Sequence, residues 1–209
     1  MKIIKLEQIT STNDYSKQLI KSSEISEDFI VISKEQSMGR GSNNKSFYSP
    51  KNTGLYFSIS ILNNNTISIK NININTITPK VSVAIYRSVY NLFNIKLQIK
   101  YINDLYLQNK KICGILTETI DYPNSLIIGI GINLYKTAYI PDEIKNTIGF
   151  LFDENPPLFD KIETIKQQLI EEITKNIYSI LPLEYIPKEY LNENINKYKI
   201  PKEIIALIS

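Results

Sequence analysis

Apolar residues alternate with polar ones along several short stretches of the chain, and recur every three to four positions along three longer ones. Alternation marks a strand with one buried face, and a period near 3.6 marks a helix with one apolar stripe. From Gly54 to Leu62 the residues Leu55, Phe57, Ile59 and Ile61 alternate, which predicts a strand. Further strands are predicted at 2–9, 29–35, 96–102, 111–120 and 125–132. The helical period predicts a helix over 12–22, with Tyr15, Leu19 and Ile20 on one face. A second helix runs from Pro79 to Phe93 on Val81, Ala84, Ile85, Val89, Leu92 and Phe93. A third covers 158–180 on Ile162, Ile165, Leu169, Ile173 and Ile177.

The residues between these segments sharpen the picture. Ser11-Thr12-Asn13-Asp14 has the form of a helix start, with a hydroxyl cap and an acid three residues on. A hairpin turns at Asn109-Lys110, and a second turn falls at Asp121-Tyr122-Pro123-Asn124. Residues 63–76 are Asn-rich and fit either an exposed loop or a strand edge. The last 29 residues carry Pro182, Pro187 and Pro201 and predict at most one short helix. Strands and helices do not alternate as βαβ units. The fold class is therefore α+β: a mixed, mostly antiparallel sheet with helices packed on one face. Residues 1–180 form one domain and 181–209 a short C-terminal tail.

Composition removes several classes. A length of 209 residues with 43% hydrophobic content suffices for one domain with a full core. A net charge of +3, with the 24 basic residues dispersed, argues against nucleic acid as a partner. No apolar run reaches the roughly 18 residues of a membrane span. The N-terminus alternates like a strand, which predicts neither signal peptide nor membrane partner. The single cysteine, Cys113, sits between Ile112 and Ile115 and reads as a buried structural thiol in a reducing compartment. These features predict a cytoplasmic protein. Histidine is absent, which removes Ser–His and Cys–His pairs and histidine metal sites. Catalysis must then rest on Lys, Arg, carboxylates, backbone groups and Mg²⁺. Ile, Asn and Lys are over-used, a coding bias that leaves many Asn and Lys positions uninformative.

Three clusters carry candidate chemistry. Gly39-Arg40-Gly41-Ser42-Asn43-Asn44-Lys45 follows an apolar run, and its glycines permit positive φ and close approach to a ligand. Backbone N–H groups with a guanidinium suit a carboxylate or phosphate. The loop is neither a dinucleotide fingerprint, since a third glycine is missing, nor a P-loop. The second cluster is Lys100-Tyr101-Ile102-Asn103-Asp104 with Lys110 to Leu116. Alternation puts Tyr101 and Asn103 on one face, and the hairpin brings Lys111 alongside Asp104. A lysine there neutralises charge on a carboxylate or α-phosphate as it reacts. Asp104 suits Mg²⁺ or the orientation of a cation. The third cluster, Gly129-Ile130-Gly131-Ile132-Asn133, places glycines inside a strand, a mark of close backbone approach.

Taken together, these pieces have a recognisable order. Ser11-Thr12-Asn13, Glu35-Gln36, Gly39-Arg40-Gly41, Tyr48-Ser49-Pro50, Gly54-Leu55-Tyr56-Phe57-Ser58, Lys100-x-x-Asn103-Asp104-Leu105, Lys111-Ile112-x-Gly114-Ile115-Leu116-x-Glu118 and Gly129-x-Gly131-Ile132-Asn133 resemble the biotin–protein ligase family. The resemblance runs from residue 11 to about 134 and implies the class II synthetase-like catalytic fold of biotin and lipoate ligases. It implies that biotin and Mg-ATP give biotinyl-5′-AMP and pyrophosphate, and that a lysine of a biotin carboxyl carrier domain then attacks the mixed anhydride. Acyl adenylation needs charge neutralisation and positioning rather than a protein nucleophile, so the absence of His is no obstacle.

By position, the resemblance assigns Ser11, Thr12, Asn13, Gln36, Gly39, Arg40, Gly41, Lys111 and Gly114 to biotin. It assigns Arg40, Lys100, Tyr101, Asn103 and Asn133 to ATP, and catalysis to Lys111, Arg40 and Asp104. Mg²⁺ arrives with ATP. The resemblance also allows a homodimer. The arginine expected at Ser42 is missing, Tyr101-Ile102 stands where Trp-Pro is common, and Ser42 to Phe47 replace an arginine-rich run ending in Trp. The tail is shorter than the family's C-terminal barrel, and no DNA-binding helices precede residue 1, so a repressor role is not expected. Lipoate–protein ligases share the chemistry but are expected to carry a His-containing pattern. A non-catalytic biotin-binding domain is the other alternative.

Overall fold

A computed structural model describes residues 1–62, 69, 72–121, 124–152 and 158–209. Seven strands form one sheet: β1 (Lys2–Leu6), β2 (Phe29–Ser33), β3 (Gly54–Leu62), β4 (Gln98–Lys100), β5 (Asp104–Leu107), β6 (Lys110–Ile120) and β7 (Ser125–Asn133). Their spatial order is β1-β2-β3-β7-β6-β5-β4, and only β1 and β2 run parallel. The helices are α1 (Thr12–Lys21), α2 (Ile74–Phe93), α3 (Phe159–Ile180), α4 (Glu189–Asn192) and α5 (Lys202–Ile205). The expected mixed α+β architecture is present. Much of the 63–76 stretch and the middle of the Asp121–Asn124 turn lie outside the described residues.

The period of two divides the sheet into two unlike faces. Leu55, Phe57, Ile59 and Ile61 of β3 and Leu126, Ile128, Ile130 and Ile132 of β7 join one buried cluster with residues of α2 and α3. Register fixes this, because Phe57 pairs with Ile130 and Ile59 with Ile128. Phe29 and Val31 of β2 and Ile127 of β7 point the other way, to Leu19 and Ile20 of α1. The helices are thus not confined to one face: α2 and α3 cover one, and α1 the other. The cause is the connection after β1, which delivers α1 directly to the face that β2 leaves uncovered.

Several boundaries move for local reasons. α2 starts five residues earlier than Pro79, at an Asn73 cap whose side chain accepts from the Asn75 N–H. Near the helix start, Pro79 withholds one intrahelical hydrogen bond, and the ladder continues past it. β1 stops at Leu6, after which Ile9 makes a single bridge to Gln36. β2 stops at Ser33, whose hydroxyl turns back to the Glu35 carbonyl at 2.6 Å. The C-terminal residues hold two short helices and a 3-10 turn at Lys197–Lys199, more than the one helix expected. Pro187 and Pro201 open these turns rather than break them, accepting from the Tyr190 and Ile204 N–H groups. Residues 181–209 pack into the main core through Ile186, Tyr190, Ile200 and Ile204. They also extend the sheet past β4, where the Ile99 N–H bonds to the Glu193 carbonyl and Ile195 returns to Ile99.

Every described residue with φ in the left-handed region is something other than glycine: Ser23, Asn43, Asn52, Asn94, Gln108 and Asn109. The expectation that the Gly39 loop uses glycine for positive φ is overturned. Asparagine serves at four of these six corners, because its short amide tolerates the left-handed well.

Candidate active site

The α1 face of the sheet carries a cleft of about 300 Å³, roofed by the loop between β2 and β3. Its floor is built on missing side chains. A Cβ at Gly129 would lie 2.2 Å from Asn13 Oδ1, and one at Gly131 would lie 2.4 Å from the Phe47 ring. Gly114 faces the same ring at 3.0 Å. Glycine is therefore required at Gly129 and Gly131 for close approach, not for turning.

One end of the cleft is neutral and polar. Ser11 caps α1, its Oγ 3.4 Å from the Asp14 nitrogen. The Thr12 N–H and hydroxyl both reach Gln36 Oε1, at 2.9 and 3.2 Å. Gln36 in turn donates to Ser49 Oγ at 3.0 Å. The Asn13 amide donates to the Leu116 carbonyl at 3.2 Å and to Glu118 Oε2 at 2.8 Å. Asn13 Oδ1 accepts from the Ser58 hydroxyl at 2.6 Å.

The other end is cationic. Lys111 Nζ lies 2.7 Å from Asp104 Oδ1. A β-bulge puts it there: Leu105 pairs with Cys113 but Tyr106 pairs with Lys111, so β6 carries one extra residue. The extra residue resets the alternation, and Lys111 comes to the same side as Gly114, with its Cε 3.4 Å from a Cβ built there. Asn103 donates to the Ile115 carbonyl at 3.1 Å and to Ser42 Oγ at 3.0 Å, which ties the loop tip to the sheet. Asn133 donates to the Lys111 carbonyl at 3.4 Å. Lys100 donates to the Tyr106 hydroxyl at 3.2 Å.

Arg40 lies at the edge, held by two carboxylates. Its Nη2 is 2.8 Å from Asp14 Oδ1 and 2.8 Å from Glu118 Oε2. Lys17 reaches the other Glu118 oxygen at 2.7 Å. Burial raises the Glu118 pKa, but hydrogen bonds from Lys17, Asn13 and Arg40 outweigh it, and the group settles below the usual carboxylate range. Cys113 is fully buried, and burial pushes its thiol well up, as befits a structural residue.

The cleft gathers Ser11, Thr12, Asn13, Gln36, Arg40 and Gly41 from the first part of the chain. It gathers Lys100, Asn103, Asp104, Lys111 and Gly114 from the second. Gly39, Tyr101 and Asn133 are not among the lining residues. Gly39 sits behind, under the Phe47 carbonyl, and Asn133 touches the lysine's backbone. Tyr101 is partly buried and packs against the main core. Sequence reasoning gave no role to Phe47, Ser58 or Glu118. Glu118 had a readable signal: a carboxylate in a strand of apolar residues, in phase with Gly114 and Leu116.

The sheet, with α1 on one face and α2 and α3 on the other, defines the class: the catalytic fold shared by biotin and lipoate ligases. The chain belongs to the biotin/lipoate A/B protein ligase family, whose model matches residues 6–134. A bifunctional ligase/repressor, BirA, of Bacillus spizizenii is 28% identical over 148 residues, covering 69% of this chain and 44% of the relative. The chain thus spans less than half the length of that curated relative. Among solved structures, biotin protein ligase from Aquifex aeolicus in complex with biotin and ATP superposes with a TM-score of 0.66 at 22% identity. That match covers 99% of this chain and 78% of the other. The Leishmania major biotin protein ligase in complex with biotinyl-5-AMP gives 0.64 at 21% identity, covering 100% and 81%.

Proposed function

We propose that this protein is a biotin–protein ligase that works in the cytoplasm. It activates biotin with ATP to biotinyl-5′-AMP and transfers biotin to a lysine of a biotin carboxyl carrier domain, with neither nucleic acid nor membrane as partner. One observation carries this reading: a neutral, hydrogen-bonding end (Ser11, Thr12, Gln36) and a Lys111–Asp104 pair with Asn103 share one cleft over a glycine floor. The neutral end suits an uncharged ureido ring, and the glycine floor lets Asn13 and Phe47 pack close beneath the roof loop. The cationic end meets the carboxylate and the α-phosphate where they react.

In the first step a biotin carboxylate oxygen attacks the α-phosphorus of ATP and pyrophosphate leaves. Lys111 stabilises negative charge on both reacting groups, and Asp104 keeps its ammonium aimed until the phosphate arrives. Asn103 fixes the loop tip beside them through Ser42. In the second step the carrier amine attacks the acyl carbon and AMP leaves. Among the described residues no group of three or more His, Cys, Asp or Glu side chains is placed to hold a metal. Magnesium fits as a companion of the nucleotide, held mostly by phosphate oxygens and water. Asp104, beside the Lys111 ammonium, would be the protein carboxylate to hold it there. When bound, it would neutralise phosphate charge.

The test is mass spectrometry of a purified carrier domain after incubation with the protein, biotin and Mg-ATP. The expected product carries one biotinyl group on one lysine. An unmodified carrier, with no pyrophosphate formed, would refute the reading. Lipoate in place of biotin serves as the control for the related activity.

A further inference from the structure

We infer that Glu118 is a positioning residue that latches the roof loop to the floor of the cleft through Arg40, so that one hydrogen-bonded network fastens the loop at both ends. The inference rests on the proposed function only where it concerns biotin.

Glu118 is the meeting point of three elements. Arg40, from the loop, binds both of its carboxylate oxygens, at 3.0 and 2.8 Å. Lys17 and Asn13, both from α1, take one oxygen each, at 2.7 and 2.8 Å, and Glu118 itself stands on β6. Asn13 continues to Ser58 at 2.6 Å, and Ser58 lies 2.8 Å from Thr12 Oγ1. Thr12 passes to Gln36 and Gln36 to Ser49 at 3.0 Å, and Ser49 closes on the Phe47 carbonyl at 3.0 Å. Arg40 and Phe47 are the two ends of one small hairpin, joined where the Phe47 N–H meets the Gly39 carbonyl at 2.8 Å. The chain of bonds therefore leaves the loop at Arg40 and re-enters it at Ser49.

Two properties make this a latch rather than a surface ion pair. The Glu118 side chain is only 20% exposed, and its two oxygens are shared among Arg40 Nη2, Lys17 and Asn13, charge-assisted bonds that fix its orientation. The charges also balance, with Arg40 and Lys17 set against Glu118 and Asp14. Arg40 is thus fully compensated at the α1 side, and Lys111 by Asp104 at the other. Groups that contact the polar end of the cleft contact the same network that holds the loop, so seating a ligand there and closing the loop are one event.

The test uses the full chain with Glu118→Gln, which keeps shape and loses charge. Site-resolved tryptic cleavage after Lys45 reads the loop without any ligand. Calorimetry with biotin reads the pocket. Removing one partly exposed charge-assisted contact is expected to speed cleavage about three- to tenfold and weaken biotin binding by a similar factor. Arg40→Ala should do the same, and the double variant should be no worse than either single one. Charge exchange, Arg40→Glu with Glu118→Arg, should recover part of the protection. Cleavage of Glu118→Gln at the wild-type rate, or effects that add in the double variant, would overturn the latch. Faster cleavage in a protein whose wild type binds no biotin would uphold the latch and reject the ligase reading. Arg40→Ala lies at the surface and keeps the test valid should Glu118→Gln fold poorly.

Discussion

At the scale of single residues, glycine and asparagine have exchanged their usual duties. Glycine is spent on close approach: Gly129 under Asn13, and Gly131 and Gly114 under Phe47. Asparagine takes the corners, with Asn43, Asn52, Asn94 and Asn109 in the left-handed well. An Asn-rich composition that looks like coding bias thus holds structural information, at positions that only backbone geometry reveals. In the proposed mechanism the chemistry rests on the ammonium of Lys111. Lys111→Ala is expected to lower the rate of biotin-dependent pyrophosphate release by about 10²–10³-fold, the scale for one preorganised electrostatic contact. A coupled pyrophosphate assay checks this, and release at the wild-type rate would remove Lys111 from the mechanism.

At the scale of elements, the loop between β2 and β3 departs most from the family pattern. Where an arginine is expected, Ser42 holds the loop tip through one neutral hydrogen bond from Asn103, at 3.0 Å. A neutral bond to a small hydroxyl is weaker than a charge-assisted one. The loop is therefore expected to retain biotinyl-AMP loosely and release some of it. Incubation with biotin, Mg-ATP and a lysine-rich bystander protein should label the bystander as well as the carrier. A labelled carrier beside an unlabelled bystander would show that Ser42 closes the loop adequately.

At the scale of the whole molecule, residues 181–209 behave as part of the core. Tyr190 is fully buried, and its hydroxyl has no hydrogen-bond partner among the described residues. Tyr190→Ala is expected to cost about 3–5 kcal/mol. Tyr190→Phe should leave stability unchanged or raise it by about 1 kcal/mol, since an unpaired buried hydroxyl is a penalty. Urea denaturation of the two variants measures both. Strand and helix positions were legible because the apolar periods are clear, as in β3 and α3. The second helical layer was not: which face α1 covers depends on a connection, and periodicity carries no information about it. The short C-terminal helices were hidden by prolines that read as breakers. Of Lys100 to Lys111 only the turn before β6 was legible: the strand predicted over 96–102 ends at Lys100, β5 was not foreseen, and the bulge that aims Lys111 leaves no mark in composition.

The two unlike faces of the sheet carry a consequence for genetics. β7 runs between an apolar layer and the cleft, and its side chains alternate between them. Substitutions along it should therefore produce phenotypes that flip at every step. Polar replacements at Leu126, Ile128, Ile130 and Ile132 should lower melting temperature and abundance. Enlargements at Gly129 and Gly131 should strike turnover first. A saturation scan scored for both abundance and biotin transfer would display the two traits out of phase by one residue. Where that beat loses its phase, the strand has left the sheet.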